Sequence, residues 1–201
     1  MIGWLYDFMS RRAERAGIGE MRRDLLANLE GDVIEIGSGT GASLPHYEHA
    51  RRVVAVEPDA SMAKRLPGKV AEAKIPIEVV HAQAEKLPFP DETFDVAVAA
   101  FVLCSVDDQR TVLTEVRRVL KPGGKLVLLE HVLGEGRTAR WQERLTPLHT
   151  KMAGNCHLNR DTRAAVADAG FDASGVENTR LPGTYVLVEP GIQGVAIKTS
   201  S

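Results

Sequence analysis

The sequence predicts an α/β domain built around a mostly parallel sheet. Segments with helical periodicity alternate with short apolar runs of strand length along the 201 residues. A glycine-rich turn, "GSGTG", directly follows the first of these runs, "VIEI" at residues 33–36. A chain of this length suits one domain with a single sizeable core, so residues 1–201 are expected to form one domain.

Five apolar runs are predicted to be the first five strands. They are "VIEI", "RRVVAVEP", "IEVVHA", "FDVAVAAFVLCSV" and "KLVLLEHV". The fourth is apolar throughout, as expected for a strand that is covered on both faces. Two shorter runs near residues 173–181 and 192–199 are predicted to complete the sheet.

The helices are predicted from the spacing of apolar side chains between these runs. In the clearest case, residues 107–120, Val112, Val116 and Val119 share one face, and "KPGG" ends the helix with proline and glycine. Helices are expected at 19–30, in "DASMAKRLPGKVAEA" with an interruption near Pro67 and Gly68, at 107–120, at 139–153 and at 160–170.

Composition and charge exclude several classes of protein. The net charge of −2 provides no basic field for nucleic acid, so no nucleic-acid partner is expected. The two cysteines are too few for a disulfide framework and fit a reducing cytosol. No apolar run reaches the roughly 18 residues that span a bilayer, and "MIGWLYDFMSRR" is a poor signal peptide. These features predict a cytoplasmic protein without an integral membrane segment.

The glycine-rich turn predicts close approach of a ligand to the backbone. Gly37, Gly39 and Gly41 also satisfy a dinucleotide fingerprint, G-x-G-x-x-A, so the turn alone is weak evidence. Glu57, sixteen residues after Gly41, can accept both hydroxyls of a ribose from either kind of cofactor. Glu35, just before the glycines, is unfavourable beside a pyrophosphate and favourable beside an ammonium group.

Four motifs together resemble the class I S-adenosylmethionine-dependent methyltransferases, from about residue 20 to the end of the chain. In order they are "VIEIGSGTG", the acidic end of "VVAVEP", "AEKLPFPDETFD" and "RVLKPGG". The resemblance implies a Rossmann-like, doubly wound, mostly parallel seven-stranded sheet with an antiparallel last strand. It also implies S-adenosyl-L-methionine as the cofactor, which leaves an NAD-dependent oxidoreductase as the less favoured alternative.

Within that superfamily, "FVLCSVDDQRTVLTEVRRVLKPGGKLVLLEHV" and "GNCHLNRDT" look like the alkyl thiol methyltransferases called methyltransferase-like protein 7. Bacterial phospholipid and quinone methyltransferases also look similar, through "LPHY" and an early "YD". The resemblance implies a thiol or another lipophilic small molecule as the methyl acceptor. A protein that binds the cofactor without turnover and acts through partners is the alternative. The vertebrate thiol enzymes carry a membrane anchor ahead of the domain, and none is expected here.

The resemblance assigns the cofactor site residue by residue. It places Gly37, Ser38 and Gly39 at the methionine moiety, Glu57 at the ribose, and the backbone of Phe101 near the methionine part. Gln83 stands where many relatives have aspartate; its carbonyl can still accept a hydrogen bond from adenine. Met62 is predicted near the adenine, or alternatively in the core. The full predicted set is Gly37, Ser38, Gly39, Gly41, Glu57, Pro58, Met62, Gln83, Ala84, Glu85 and Phe101.

The acceptor side has a weaker signature, because methyl transfer from a sulfonium is a direct displacement that mainly needs alignment and water exclusion. His131 follows "LVLLE" at the rim where ligands bind in such sheets, and its near-neutral pKa suits a general base. A purely structural histidine is the alternative. The other acceptor-side candidates are Tyr6, His149, Asn155 and His157. His149, Cys156 and His157 could suggest a metal site, but no second ligand pair with recognisable spacing accompanies them, so no metal site is predicted. Cys104 lies in an apolar run and is interpreted as a small buried residue.

Residues 1–18 are predicted to form an amino-terminal lid over the acceptor pocket. Ile2, Trp4, Leu5, Phe8 and Met9 are apolar, and Arg11, Arg12 and Arg15 follow them. The same pattern would permit weak peripheral contact with a membrane surface, but the short segment favours a lid.

Overall fold

The computed structural model describes residues 12–199. Eight strands form one sheet in the order β3-β2-β1-β4-β5-β8-β6, and β7 also pairs with β8. The strands are β1 (Gly31–Ile36), β2 (Ala50–Val56), β3 (Ile77–Val80), β4 (Phe94–Ala100), β5 (Leu120–His131), β6 (Phe171–Asp172), β7 (Val176–Arg180) and β8 (Pro190–Lys198). Strands β1 to β5 are parallel, and β8 is antiparallel to β5.

The edge of the sheet beyond β8 is formed by two short strands in succession. Strand β6 pairs with Ile197 and Lys198, whereas β7 pairs with residues 190–194 of the same strand. The two therefore occupy one strand position, divided by residues 173–175. The predicted seven-stranded sheet with an antiparallel last strand is confirmed, with its edge strand split in two.

The α-helices are α1 (Gly19–Leu26), α2 (Ala60–Ala63), α3 (Leu66–Glu72), α4 (Gln109–Val119), α5 (Gly136–Met152) and α6 (Thr162–Asp168), and a π-helix, Glu14–Ile18, directly precedes α1. The predicted interruption separates α2 from α3 at Lys64 and Arg65, just before Pro67, which lies in the first turn of α3. None of these helices combines the length and apolar character needed to cross a bilayer.

Alternate residues of the central strands pack on opposite faces of the sheet, as the apolar runs predicted. Ile34 and Ile36 belong to the cluster that also contains Val112 and Val116 of α4. Val33 belongs to the other cluster, together with Leu26, Tyr47 and Leu66. Both faces are therefore covered, and the carboxyl ends of β1, β2 and β4 meet at one edge, where ligands bind in such sheets.

Strand β4 is shorter than its apolar run. The predicted strand extended through residue 106, but β4 ends at Ala100 and Phe101 has a φ of +59°. That conformation is rare for a large side chain and turns the backbone out of the sheet. Leu103 and Cys104 are buried all the same, so the remainder of the run is apolar because the loop packs inward.

A polar cluster explains why two of the four motifs occur together. Arg118 of "RVLKPGG" donates to the carbonyls of Leu87 and Phe89, at 3.0 and 2.8 Å, and to Asp91 at 2.8 Å. Its Nε and Nη2 also bind the carboxylate of Glu115, at 2.8 and 2.9 Å. The "AEKLPFPDETFD" loop is thus fixed against the carboxyl end of α4 by one guanidinium group, beside the start of β4.

Candidate functional site

The glycine turn after β1 contains two glycines with different roles. Gly37 and Gly39 both adopt positive φ, at +62° and +56°. A Cβ on Gly37 would lie 2.3 Å from Cγ2 of Val102, whereas a Cβ on Gly39 would meet only the carbonyl of Gly37, at 3.9 Å. Packing therefore requires the first glycine, and the second leaves an open side where a ligand can approach. Gly41 packs closely on Leu66.

The chain that follows this turn lacks the helix that a dinucleotide needs. A pyrophosphate binds at the amino terminus of the α-helix directly after such a turn. Here the turn leads into Leu44–His46, a single three-residue turn of 3₁₀ helix. The local structure therefore disfavours the dinucleotide interpretation that the glycine spacing had left open.

Glu57 lies at the end of β2, buried and already oriented by the backbone. Its Oε2 accepts the N–H of Gly39 at 2.7 Å, and its Oε1 accepts the N–H of Asp59 at 2.8 Å. Because each carboxylate oxygen can accept a second hydrogen bond, both retain capacity for a hydroxyl group. The carboxylate of Glu57 can bind the two hydroxyls of a ribose while the rest of the ligand lies along the turn at Gly39. These residues therefore fit the cofactor expected from the sequence.

The predicted adenine-side residues lie on two neighbouring loops. Met62, on α2, is half-buried, and Asp59 caps that helix by accepting the N–H of Ser61 at 2.7 Å. On the loop after β3, Ala84 is buried, and Glu85 accepts the N–H of Asp107 at 3.2 Å. Gln83 and Pro58 are exposed. Glu85 thus connects the loop after β3 to the loop after β4, so that these two loops border one site.

Two polar residues of the predicted motif face the protein interior. Ser38 donates its hydroxyl to the carbonyl of Glu35 at 3.3 Å, so its backbone, not its side chain, faces the turn. Burial raises the pKa of Glu35, and the hydroxyl of Tyr47 donates to its Oε2 at 2.9 Å. Tyr47 is the tyrosine of "LPHY". That motif therefore anchors the strand end that carries the glycine turn.

The loop after β4 is held between β5 and the glycine turn. The N–H of Phe101 donates to the carbonyl of Leu129 at 2.9 Å. Oε1 of the buried Glu130 accepts the N–H groups of Val102 and Leu103, each at 2.8 Å. Since Val102 also packs against Gly37, the loop after β4 contacts both β5 and the glycine turn.

His131 follows Glu130 and is part of a buried cluster with both cysteines of the chain. Its Nε2 lies 2.8 Å from Sγ of Cys156, and Nδ1 has no hydrogen-bond partner among the described residues. Burial lowers the pKa of His131, but Cys104 and Glu130 raise it by more, so it lies above its ordinary value. A hydrogen bond with Cys156, together with burial, raises the pKa of the Cys104 thiol well above its ordinary value.

The spacing of this cluster corresponds to hydrogen bonding. The side-chain ligand atoms of Cys104, His131 and Cys156 all lie within 4.8 Å of one another. Zinc–sulfur and zinc–nitrogen bonds of about 2.3 and 2.0 Å would separate two tetrahedral ligands by roughly 3.5 Å. The 2.8 Å separation of His131 and Cys156 is shorter, as expected for atoms in direct contact.

The remaining acceptor-side candidates surround this cluster, except Tyr6, which lies outside the described residues. Nδ1 of His149 donates to the carbonyl of Cys156 at 2.8 Å, and its Nε2 contacts the hydroxyl of Tyr185. Asn155 donates to the carbonyl of Ser105 at 2.9 Å. The N–H of His157 donates to the carbonyl of Cys104 at 2.8 Å. His149 therefore faces the cluster's outer side, whereas the bonds of Asn155 and His157 fix one loop on another.

The cluster of Cys104, His131 and Cys156 was not predicted from the sequence, and Tyr185 was not among the predicted site residues. Cys104 was interpreted only as a small buried residue, and Cys156 only as an incomplete metal ligand. The three residues are separated by 27 and 25 positions, with no periodic spacing. One signal was available: His131 ends β5 and Cys104 follows β4, and the carboxyl ends of these two parallel strands lie at the same edge of the sheet.

Comparison with known proteins agrees with this geometry. A family model described as a methyltransferase domain matches residues 34–128. The thiol S-methyltransferase TMT1A of Homo sapiens is 34% identical over 190 residues, which cover 88% of this chain and 78% of that protein. The phosphatidylethanolamine N-methyltransferase of Cereibacter sphaeroides is 40% identical over 103 residues, which cover 50% of this chain and 51% of that protein.

A solved structure from Thermotoga maritima, described as a SAM-dependent methyltransferase and possible histamine N-methyltransferase, shares the fold. It aligns with a TM-score of 0.71 and 23% identity, covering 99% of this chain and 96% of that one. The sheet order, the glycine turn beside a buried acidic residue and the extended similarity to the human enzyme lead to one conclusion. This chain belongs to the class I S-adenosylmethionine-dependent methyltransferases and uses S-adenosylmethionine as its cofactor.

Proposed function

We propose that this enzyme transfers the methyl group of S-adenosylmethionine to the sulfur of a small lipophilic thiol. One observation carries the proposal: a buried nitrogen of His131, with no hydrogen-bond partner among the described residues, lies on the strand that fixes the loop beside the glycine turn. The similarity to a protein named as a thiol S-methyltransferase supports the same acceptor class.

The route from the cofactor site to His131 is short. Gly37 packs on Val102, Val102 donates its N–H to Glu130 at 2.8 Å, and His131 is the next residue of β5. The methionine end of the cofactor is assigned to Gly37 and Gly39, and the ribose to Glu57. These contacts support our assignment of His131 to the acceptor side of the site.

An acceptor thiol must lose its proton before it attacks. With an ordinary pKa of about 8.5, only a few per cent of a free thiol is ionised at neutral pH. S-adenosylmethionine supplies the methyl group on a sulfonium, which leaves as a neutral thioether. The protein has to align the acceptor, exclude water and accommodate the thiol proton.

His131 can accommodate that proton through Nδ1. If Nε2–H donates to Sγ of Cys156, the lone pair on Nδ1 is free to accept a proton from the acceptor. The raised pKa of His131 favours this protonation, and the resulting imidazolium stabilises the thiolate. Cys156 would then hold the imidazole ring in the orientation and tautomer that leave Nδ1 available.

The outer side of the cluster is formed by His149 and Tyr185. Burial raises the pKa of Tyr185 to about 12, so its hydroxyl stays protonated and donates to Nε2 of His149. Nδ1 of His149 in turn donates to the carbonyl of Cys156. This chain of hydrogen bonds fixes the loop that carries Cys156, and we assign both rings to the wall of the acceptor pocket.

A cytoplasmic location is part of the proposal. Cys104 and Cys156 are both free although their sulfur atoms lie within 4.8 Å, an arrangement suited to a reducing compartment. The net charge of −2 favours a small-molecule acceptor over nucleic acid.

The proposal is tested with three acceptors of one chain length: an alkane thiol, the matching alcohol and the matching amine. Incubation with methyl-labelled S-adenosylmethionine should label the thiol, and His131→Asn should lower that rate without changing cofactor affinity. His49→Asn is the matched control, because His49 is exposed and lies in the loop beyond the glycine turn. Labelling of the amine or alcohol in preference to the thiol would contradict the proposed acceptor.

A further inference from the structure

Helix α5 exposes its apolar side chains and buries polar ones. Trp141, Leu148 and Met152 have 52, 58 and 67% of their surface exposed. The helix residues that are buried are Gln142 and Thr146. This is the reverse of the usual arrangement, in which a surface helix turns its apolar stripe towards the core.

The exposed Trp141, Leu148 and Met152, together with the half-buried Leu145, form one apolar surface, the α5 stripe. Their spacing of four, three and four residues places them on one face of the helix. Val186, 68% exposed, precedes Leu187, whose carbonyl accepts a hydrogen bond from the side chain of Gln142, so this segment is attached to α5. A contiguous apolar surface of this kind on a folded protein marks an interaction site.

Basic side chains line one side of the α5 stripe. Arg137, Arg140, Arg144 and Lys151 are exposed and share the adjacent strip of the helix. None of the four forms an ion pair with another residue of the described part of the chain, and the guanidinium of Arg144 lies 5.8 Å from the ring centre of Trp141. Glu143 is the single acidic residue of the helix, so this cationic strip stands out on a chain of net charge −2.

We propose that α5 docks in the plane of an anionic lipid bilayer, with the α5 stripe in the interfacial region. Trp and Leu side chains enter that region, and arginine and lysine beside them bind the anionic headgroups. The charge complementarity of the cationic strip selects an anionic lipid surface as the occupant. The geometry uses α5 alone and does not depend on the amino-terminal segment.

The position of the stripe also connects the bilayer to the proposed acceptor pocket, a point that rests on the proposed function. His149 belongs to α5, and its ring contacts Tyr185 on one side and the carbonyl of Cys156 on the other. Docking through α5 would therefore place the pocket next to the membrane interface. A lipophilic thiol dissolved in the bilayer could enter the pocket without crossing water.

The test is flotation of the full chain with extruded phosphatidylcholine vesicles, with and without phosphatidylglycerol. Binding should require the anionic lipid and weaken at high salt. Arg137→Gln/Arg144→Gln should lower the partition coefficient roughly 25-fold, at about fivefold for each charge. Trp141→Glu/Leu148→Glu should lower it at least about tenfold by removing the interfacial contact. Lys64→Gln/Lys86→Gln and Val79→Glu, which change exposed residues elsewhere, should bind as the unmodified chain does.

Several outcomes would overturn the proposal. One is the absence of binding to anionic vesicles. Another is binding that survives both α5 variants but is lost in Trp4→Glu/Phe8→Glu, which would assign the membrane contact to the amino-terminal segment. A third is a dimer in solution that Trp141→Glu/Leu148→Glu dissociates while vesicle binding is unchanged.

Because flotation needs no acceptor, its result is independent of whether a thiol is methylated. If docking holds, the α5 variants should methylate a water-soluble thiol normally and a vesicle-dissolved thiol more slowly.

Discussion

The two glycines of the turn permit a matched experiment, in which the same substitution at Gly37 and Gly39 should have different effects. Both residues adopt a φ near +60°, so alanine at either position costs roughly 1–2 kcal/mol of backbone strain. At Gly37 the new Cβ would also lie 2.3 Å from Cγ2 and 2.8 Å from Cβ of Val102. Overpacking of this kind adds roughly 1–3 kcal/mol. We expect Gly37→Ala to destabilise the fold by about 2–5 kcal/mol and Gly39→Ala by about 1–2 kcal/mol.

Although Gly39→Ala should destabilise the fold less than Gly37→Ala does, it should still weaken cofactor binding. The Cβ of Gly39→Ala would project into the open side of the turn, where the cofactor is assigned. Its affinity for S-adenosylmethionine should fall at least about tenfold, a loss of about 1.4 kcal/mol, while the protein remains folded. Urea unfolding measures stability, and titration calorimetry with S-adenosylmethionine measures affinity.

A double-mutant cycle supplies the control. Val102→Ala removes the methyl groups that obstruct Gly37→Ala, so the double variant should be more stable than the two single losses predict, by roughly 1–3 kcal/mol. The corresponding cycle with Gly39 should show no coupling. Equal destabilisation by the two glycine substitutions would refute the packing argument. Unchanged cofactor affinity in Gly39→Ala would refute the assignment of the open side to the ligand.

Three further predictions follow from individual contacts. Glu57→Gln replaces one carboxylate oxygen by an NH₂ group that faces the N–H of Gly39 or Asp59, and it weakens charged hydrogen bonds worth roughly 1.5–3 kcal/mol each. Calorimetry should show that the affinity for the cofactor falls at least tenfold. An unchanged dissociation constant would remove Glu57 from the site. His131→Asn should lower thiol turnover roughly 10²–10⁴-fold at neutral pH, with a smaller loss above the thiol pKa of about 8.5, and wild-type turnover at neutral pH would make the residue structural. The hydrogen bonds from Arg118 lower the pKa of Glu115, so this carboxylate stabilises the fold above its unfolded pKa of about 4.3 and loses that effect as the pH falls. The stability difference between wild type and Glu115→Gln should therefore shrink on acidification, and a difference that is constant with pH would contradict the role of the ion pair.

Much of the fold could be predicted because its signals are local. Strand β1 and helix α4 have unmistakable apolar patterns, and their observed bounds agree closely with the predicted ones. The fourth strand was predicted too long, because an apolar run does not distinguish a strand from an inward-packing loop. The strand ends because Phe101 adopts a left-handed conformation and because Glu130 accepts hydrogen bonds from the N–H groups of the loop that follows. Neither feature produces a periodic pattern in the sequence.

Only the cofactor side of the candidate site has a local sequence signal. Gly37, Gly39 and Glu57 are linked by motif spacing, and the structure brings Gly39 and Glu57 into direct contact. The cluster of Cys104, His131 and Cys156 depends on how two loops pack, so no local pattern encodes it. The helical periodicity of residues 139–153 predicted α5 correctly, but the same pattern would have turned Trp141 towards the core. The lid predicted at residues 1–18 falls largely outside the described residues and stays a prediction.

Methylation of a single acceptor that carries both a thiol and a hydroxyl group on one alkyl chain tests the central claim most directly. Both groups are then present at the same concentration on one molecule, and a reaction without enzyme measures the intrinsic preference of the methyl donor for sulfur. After incubation with methyl-labelled S-adenosylmethionine, mass spectrometry of the product should show the label on sulfur alone, with one demethylated cofactor formed for each thioether. Label on oxygen, or consumption of the cofactor without a methylated product, would contradict the proposal that this site activates a thiol.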